Sequence, residues 1–445
     1  MRLLSLLTTA LLVGLSAATS SAGNSVLVVL EPKLSREQFS IFFDGLESKG
    51  YDLTFRAPKD EKPVILEDDI PAFSHVIFFA PTTKNFASDI TPQSIITLLE
   101  NRVNVLIALS PSTTPLSSLA AEFSLILPPP NTPLISHFPS RPHPPTTLAI
   151  TPQNTPNAPI LSKNLGPVLF KGISHAYGEN PRLVPILKAP KESFASDTES
   201  DRGSESIADA VEKGGEGLWA GGSMGVVSGF QTVSGARVTW VGGVDVFGDE
   251  FANAEALEGV KSGNEQFSKD VAAWTFQESL VLRIANTSHH LLGENYPRDH
   301  YTTKDEIVYS IDIDRFDAKT STWKPYSGIT DLQLEYTMLD PHIRTALPPI
   351  KGAPGHYSVT FRAPDRHGVF KFVVDYKRKG WTHLHSAIVV PLVPPRHDGY
   401  PRFLSSAWPY YAGAISTSIG FVIFSALWLG GDVREKGKGK GKKAE

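Results

Sequence analysis

The chain has 445 residues, 42 Lys and Arg against 46 Asp and Glu, a formal net charge of −4 and no Cys. At roughly 150 residues per domain there is room for two or three cores. The lack of Cys excludes disulfides, thiol chemistry and thiolate metal sites, and a balance this close to neutral excludes a nucleic-acid-binding body, since the basic excess sits in the last residues, KGKGKGKKAE.

The first 22 residues, MRLLSLLTTALLVGLSAATSSA, read as a secretory signal. Arg2 is the positive n-region, an apolar run follows, and Ser20-Ser21-Ala22 offers small residues for cleavage before Gly23. The run falls short of the roughly 20 residues that a membrane span needs.

Residues 23–138 alternate between strand and helix patterns. SVLVVL at Ser25–Leu30 is a continuous apolar run, as a buried parallel strand should be. Ser35-x-x-Gln38 forms a capping box ahead of Phe39, Phe42, Phe43 and Leu46 at helical spacing, and Gly50 stops the helix. Strands are predicted at 52–56, 75–80 and 103–109, with a helix opened by Thr91-Pro92 between the last two. Repeated strand–helix units imply a parallel sheet covered on both faces, a flavodoxin-like α/β fold. Its first strand-to-helix turn, Glu31-Pro32-Lys33-Leu34, has an acid and no Gly, so nucleotide binding is not expected there.

Residues 139–159 are a Pro-rich connection, and Ser193 to Ser206 reads as a mobile acidic loop. Residues 160–295 continue the α/β and β structure. Three apolar runs between 218 and 248, ending in VDVF, read as close-packed strands, and 264–283 as an amphipathic helix. From residue 296 to 396 the period changes to two, with strands at 307–311, 332–336, 357–361, 369–376 and 387–393 separated by Pro and Gly turns, which predicts an all-β sandwich.

After a juxtamembrane stretch, 397–409, the segment 410–430 carries no charge and suffices for one transmembrane helix. Arg434 and the Lys residues that follow place the tail, 431–445, in the cytosol. Ala412, Ser416 and Gly420 recur every four residues with Gly413 and Thr417 beside them, a small-residue stripe that fits a partner helix. Lys442 and Lys443 match a dilysine retrieval signal. Asn286-Thr287-Ser288 is a candidate glycosylation sequon.

No catalytic, cofactor or metal site emerges. His289-His290 point opposite ways on an extended chain, which leaves Glu294 without a converging pair. His383 and His385 share a strand face, with no third ligand evident by spacing. Asp312 and Asp314 flank Ile313 on a polar strand face. They are the carboxylates that a lumenal glycan-processing enzyme would use, and a solvated face explains them better.

Several long stretches carry a resemblance. WTFQESLVLR, DLQLEYTMLDPHIRTAL, YSVTFRAPDRHGVFKFVVDYKRKGWTHL and RHDGYPRFLSSAWPYYAGAIS, with SVLVVLE and MGVVSGFQTVSGARVTWVGGVDVF upstream, are similar to the non-catalytic subunit of the eukaryotic oligosaccharyltransferase, the fungal wheat-germ-agglutinin-binding-protein subunit. The resemblance implies a structural and assembly component of an endoplasmic reticulum membrane complex, single-pass, with its body lumenal. That complex transfers oligosaccharide from dolichol diphosphate to Asn in Asn-x-Ser/Thr. It further implies partners of three kinds: a multi-span catalytic subunit, a ribophorin II-like subunit and a small defender-against-death-like subunit. A glycan- or acceptor-peptide-binding module remains the alternative.

Overall fold

The computed structural model describes residues 19–138, 143–152, 159–196, 219–400 and 402–437, with side chains up to residue 430. Lys442, Lys443 and most of the expected signal lie outside the described residues.

The first unit is built on a seven-stranded sheet of β1 (Ser25–Leu30), β2 (Asp52–Arg56), β3 (His75–Phe79), β4 (Asn104–Ala108), β5 (Leu183–Lys188), β6 (Gly225–Gln231) and β7 (Arg237–Val241). Its spatial order is β5-β6-β7-β4-β3-β1-β2. Strands β2, β1, β3, β4 and β7 run parallel, while β6 and β5 pair antiparallel at one edge, so the sheet is mixed. The uninterrupted apolar runs split by alternation. Val26, Val28, Ile77 and Phe79 face a core with Phe42, Phe43 and Leu46 of α1 (Ser40–Ser48) and Phe267, Val271 and Trp274 of α4 (Asn264–Thr275). Leu27, Val29, Val76 and Phe78 face α2 (Pro92–Glu100) and α3 (Pro115–Glu122).

Local chemistry sets the helix ends. Thr91 Oγ1 accepts from the Ser94 N–H at 3.1 Å with Pro92 at the first helical position, as the sequence predicts. Ahead of α1 the chain makes a 3-10 turn, Arg36–Phe39, in which Gln38 accepts from the Ser35 N–H. The N-terminus of α1 itself is capped from far away, by the Asp249 carboxylate on the Ser40 and Ile41 N–H groups at 3.0 Å each.

The second unit has two sheets around one core. Strands β8 (Leu282–Leu291), β10 (Glu306–Asp317), β11 (Thr322–Pro325) and β14 (His356–Arg362) form one. The other has the order β9-β16-β15-β12-β13, from Tyr301–Thr302, Leu384–Val393, Gly368–Tyr376, Gln333–Thr337 and Pro341–Ala346. Ile307, Tyr309 and Ile311 of the first sheet pack against Tyr336, Phe370 and Phe372 of the second.

Three expectations are corrected. VDVF is a 3-10 turn, Val244–Phe247, because an apolar run of four fits a turn as well as a strand. The helix predicted over 264–283 ends at Thr275, and Leu282 and Arg283 already belong to β8, so the two-sheet unit takes in residues before 296. Ser193 and Ser196, placed by the sequence in a mobile loop, are buried around the short strand Phe194–Ala195; the rest of that loop lies outside the described residues. Thr19 to Ser21, within the expected signal, lie against the α/β unit: Ser20 is buried and its Oγ donates to the Phe276 carbonyl at 2.5 Å.

Candidate functional site: the joint between the units and an uncovered helix

Arg237 opens β7 and is fully buried. Its Nη1 donates to the carbonyls of Trp274 at 2.7 Å and Ser279 at 2.8 Å, and its Nη2 to Leu280 at 2.9 Å and to Thr382 Oγ1 at 3.4 Å. Three of these acceptors come from the end of α4 and the turn after it, and the fourth from the two-sheet unit. Burial pushes the guanidinium pKa down, to about 9, still above neutral. The carbonyls at the C-terminus of α4 are the negative end of its dipole and suit a cation. The turn they belong to is strained, since Gln277 and Leu280 take φ of +61° and +56°, a region that costs non-Gly residues about 1–3 kcal/mol each. Arg237 holds that turn by its oxygens.

Trp274 makes the reciprocal tie. Its Nε1 donates across the joint to the Gly380 carbonyl at 2.8 Å. Trp381, the next residue, packs against both the α/β core and the core of the two-sheet unit. Beside the joint lies a cleft of about 630 Å³ bordered by Ser21, Arg102, Gln277, Arg283 and Trp323. The Arg283 guanidinium sits 4.3 Å over the Trp323 ring and also bonds Asp314 at 2.9 Å.

The crevice at the carboxyl ends of β1 and β3, where sheets of this order bind ligands, carries an acid. Glu31 is buried, and its carboxylate accepts from both the N–H and the hydroxyl of Thr82. A carboxylate there repels the phosphate that such a crevice ordinarily takes.

Most sequence-level candidates are tied into separate pairs. Asp312 accepts from His356 at 2.6 Å and Asp314 from Arg283 at 2.9 Å. His289 Nδ1 bonds the Tyr301 hydroxyl at 2.8 Å, His290 bonds the Leu291 carbonyl at 3.0 Å, and Glu294 pairs with Arg298. Asn286 is exposed on β8, opposite Asp312. The residue that spacing missed is Asp375, which the register of β15 on β16 sets opposite His385. Arg237 was equally hidden, one charge at the start of an apolar run.

The last described element is α5 (Trp408–Gly437). Ser405–Gly430, 26 residues, is long and apolar enough to cross a membrane, and its apolar stretch is not buried against any of the described residues. Gly413, Ser416, Thr417 and Gly420 are exposed and Ala412 nearly so. A Cβ added at Gly413 or Gly420 meets nothing within 4 Å. The hydroxyls of Ser416 and Thr417 both turn back to the Gly413 carbonyl, at 2.9 and 2.8 Å, so the stripe presents satisfied, shallow surface. Phe403 stacks on Tyr411 at 4.9 Å near the start of the helix.

Comparison with known proteins covers almost the whole chain. The family model for the OST48 N-terminal domain matches residues 17–278, and that for the OST48 middle domain matches residues 289–432. Relatives named as the 48 kDa subunit of dolichyl-diphosphooligosaccharide–protein glycosyltransferase include one from Danio rerio, 34% identical over 93% of this chain and 92% of its own. Another, from Caenorhabditis elegans, is 31% identical over 92% of each chain, and a third, from Drosophila melanogaster, 31% identical over 91% of each. Two family models that between them span both structural units, and relatives matched nearly end to end, lead to one conclusion: the chain belongs to the OST48 family.

Proposed function

We propose that this chain is the non-catalytic structural and assembly subunit of an oligosaccharyltransferase, acting in protein N-glycosylation by holding the multi-span catalytic subunit in place. The observation that carries the reading is the end-to-end similarity to proteins named as the 48 kDa subunit of that transferase. Two features support it. The candidate carboxylates are engaged by basic partners, Asp312 by His356 and Asp314 by Arg283. The apolar helix has no cover among the described residues and needs lipid and partner helices.

The body is a flavodoxin-like α/β unit and a β-sandwich on the lumenal side of the endoplasmic reticulum membrane. One type I span and a short cytosolic tail follow, with Lys442 and Lys443 as a retrieval signal for unassembled copies. Ala412, Gly413, Ser416, Thr417 and Gly420 face a neighbouring helix, whether of the ribophorin II-like or the defender-against-death-like subunit. Asn286 carries glycan. Depleting the chain lowers occupancy at many sequons at once; a transferase that assembles and works normally without it refutes the reading.

A second reading is favoured by the cleft beside the joint. Arg102 and the Arg283–Trp323 stack border one opening, a cationic and aromatic rim suited to sugar or peptide. In that case the subunit presents glycan or acceptor peptide to the transferase. Saturable binding of acceptor peptide to the intact complex, lost in Trp323→Ala, separates it from scaffolding alone.

A further inference from the structure

We propose that Asp375, His383 and His385 form a binding site for one Zn²⁺ ion at the foot of the β15–β16 hairpin. Asp375 is the penultimate residue of β15 and lies directly opposite His385 of β16 in the antiparallel register. His383 precedes His385 by two positions, which puts both imidazoles on the face that Asp375 shares. The carboxylate Oδ1 is 2.5 Å from His383 Nε2 and 3.8 Å from His385 Nδ1, and the three donor atoms all lie within 4.8 Å of one another.

The two carboxylate oxygens have different duties. Oδ2 is held by Lys377 Nζ at 2.7 Å, which fixes the plane of the group and leaves Oδ1 aimed between the imidazoles. Two neutral imidazoles and one carboxylate are the donor set of zinc sites that keep a fourth position for water. Calcium and magnesium, which take oxygen ligands, are poorly served by it. Zinc bonds of about 2.1 Å set donor–donor spacings of about 3.4 Å. The Asp375–His383 contact therefore opens by about 1 Å and the His385 contact closes by less. His385 and Asp375 are exposed, so the ion enters from solvent and these rotations meet no packed core.

The site has a structural consequence at the joint. Between its ligands runs the loop that grips the α/β unit, where Gly380 accepts from Trp274 and Thr382 accepts from Arg237. A bound ion ties both ends of that loop together and stiffens the grip.

The test uses the full-length chain in detergent, purified without a histidine tag and stripped by chelator. Co²⁺ is titrated first, read by its visible absorbance, then displaced by Zn²⁺. One equivalent is expected, and Asp375→Asn and His385→Ala should each weaken binding by more than the roughly tenfold to 100-fold that loss of an outer partner costs. Added Zn²⁺ should raise the unfolding midpoint of the wild-type chain and not of either variant. His289→Ala, in another pair, should bind as the wild type does. A wild-type chain that develops no cobalt band, or variants that bind as it does, overturns the proposal and leaves Asp375–His383 a plain hydrogen-bonded pair.

Discussion

The guanidinium of Arg237 lies 4.9 Å over the indole of Trp274 and donates to the carbonyl of the same residue at 2.7 Å. Trp274 passes the connection on, from Nε1 to Gly380 in the other unit. Replacing Arg237 by Ala takes the charged donor from the Ser279 carbonyl and from those of Trp274 and Leu280, which keep only backbone bonds from the Gln277 and Thr382 N–H groups at 3.2 Å each. The expected loss is about 3 kcal/mol or more, because hydrogen bonds to a charged donor are worth about 1.5–3 kcal/mol each and are not fully additive. Lys restores little, having no planar fork to reach acceptors on two sides. Denaturant unfolding of the full chain in detergent, followed by Trp fluorescence, reads the effect; an unchanged midpoint in Arg237→Ala sinks the assignment.

Acid should loosen the α/β unit before it touches the carboxylates. His75 and His175 are fully buried, and burial pushes their pKa values down to about 4 and about 3. Neutral His75 is well placed, with Nε2–H donating to the Gly23 carbonyl at 2.9 Å and Nδ1 accepting from Asn104 at 3.2 Å. In the unfolded chain each titrates near 6.5 and so binds more protons than the folded one below that pH. Stability is thus complete above about pH 6.5 and falls as pH drops toward 4, by about 1.4 kcal/mol per unit for each histidine. Unfolding midpoints at pH 7 and pH 5 should differ clearly, and less so in His75→Gln. A flat profile over that window contradicts the burial of neutral imidazoles.

The stripe on α5 makes a prediction that separates folding from assembly. Gly413 and Gly420 have open space around them, so Gly413→Leu with Gly420→Leu should leave the unfolding midpoint of the isolated chain unchanged. Close helix approach needs small residues, and the double variant should lose most co-purifying transferase subunits. Full recovery of the complex would show that another face of the helix carries the contact.

Processing of the N-terminus can be read directly. Ser20 donates to the Phe276 carbonyl and the Ser21 N–H to that of Gln277 at 3.3 Å. Cleavage before Gly23 would discard both bonds, at a cost of about 1 kcal/mol each. Ser16-Ala17-Ala18 offers the same small-residue spacing upstream. N-terminal sequencing of the mature chain should begin ahead of Ser20, and a chain beginning at Gly23 would refute this.

Much of the fold was legible because it is written in local patterns. The runs at Ser25–Leu30 and His75–Phe79 are apolar on both faces, and Thr91-Pro92 and Gly50 mark helix ends by their own chemistry. What escaped depends on distant pairing. The Asp375–His385 contact exists only through strand register, and Arg237 finds its carbonyls in a turn where Gln277 and Leu280 adopt a backbone conformation that neither residue type signals. Asp249 capping α1 from 209 positions away is the same kind of information. The resemblance covered what patterns could not, the assignment to a family, and left the geometry of the joint to be found.

The fifth parallel strand has a consequence for how the chain is made. β4 and β7 are neighbours in the sheet but are separated by roughly 130 residues. At a synthesis rate of about 5–20 residues per second, β4 waits about 7–26 s for its partner. During that time a strand whose five residues are all destined for burial shows an open edge, the form most prone to wrong pairing. The first half of the α/β unit is thus a fragment in waiting, and a chain cut anywhere between residues 109 and 236 keeps that edge open for good.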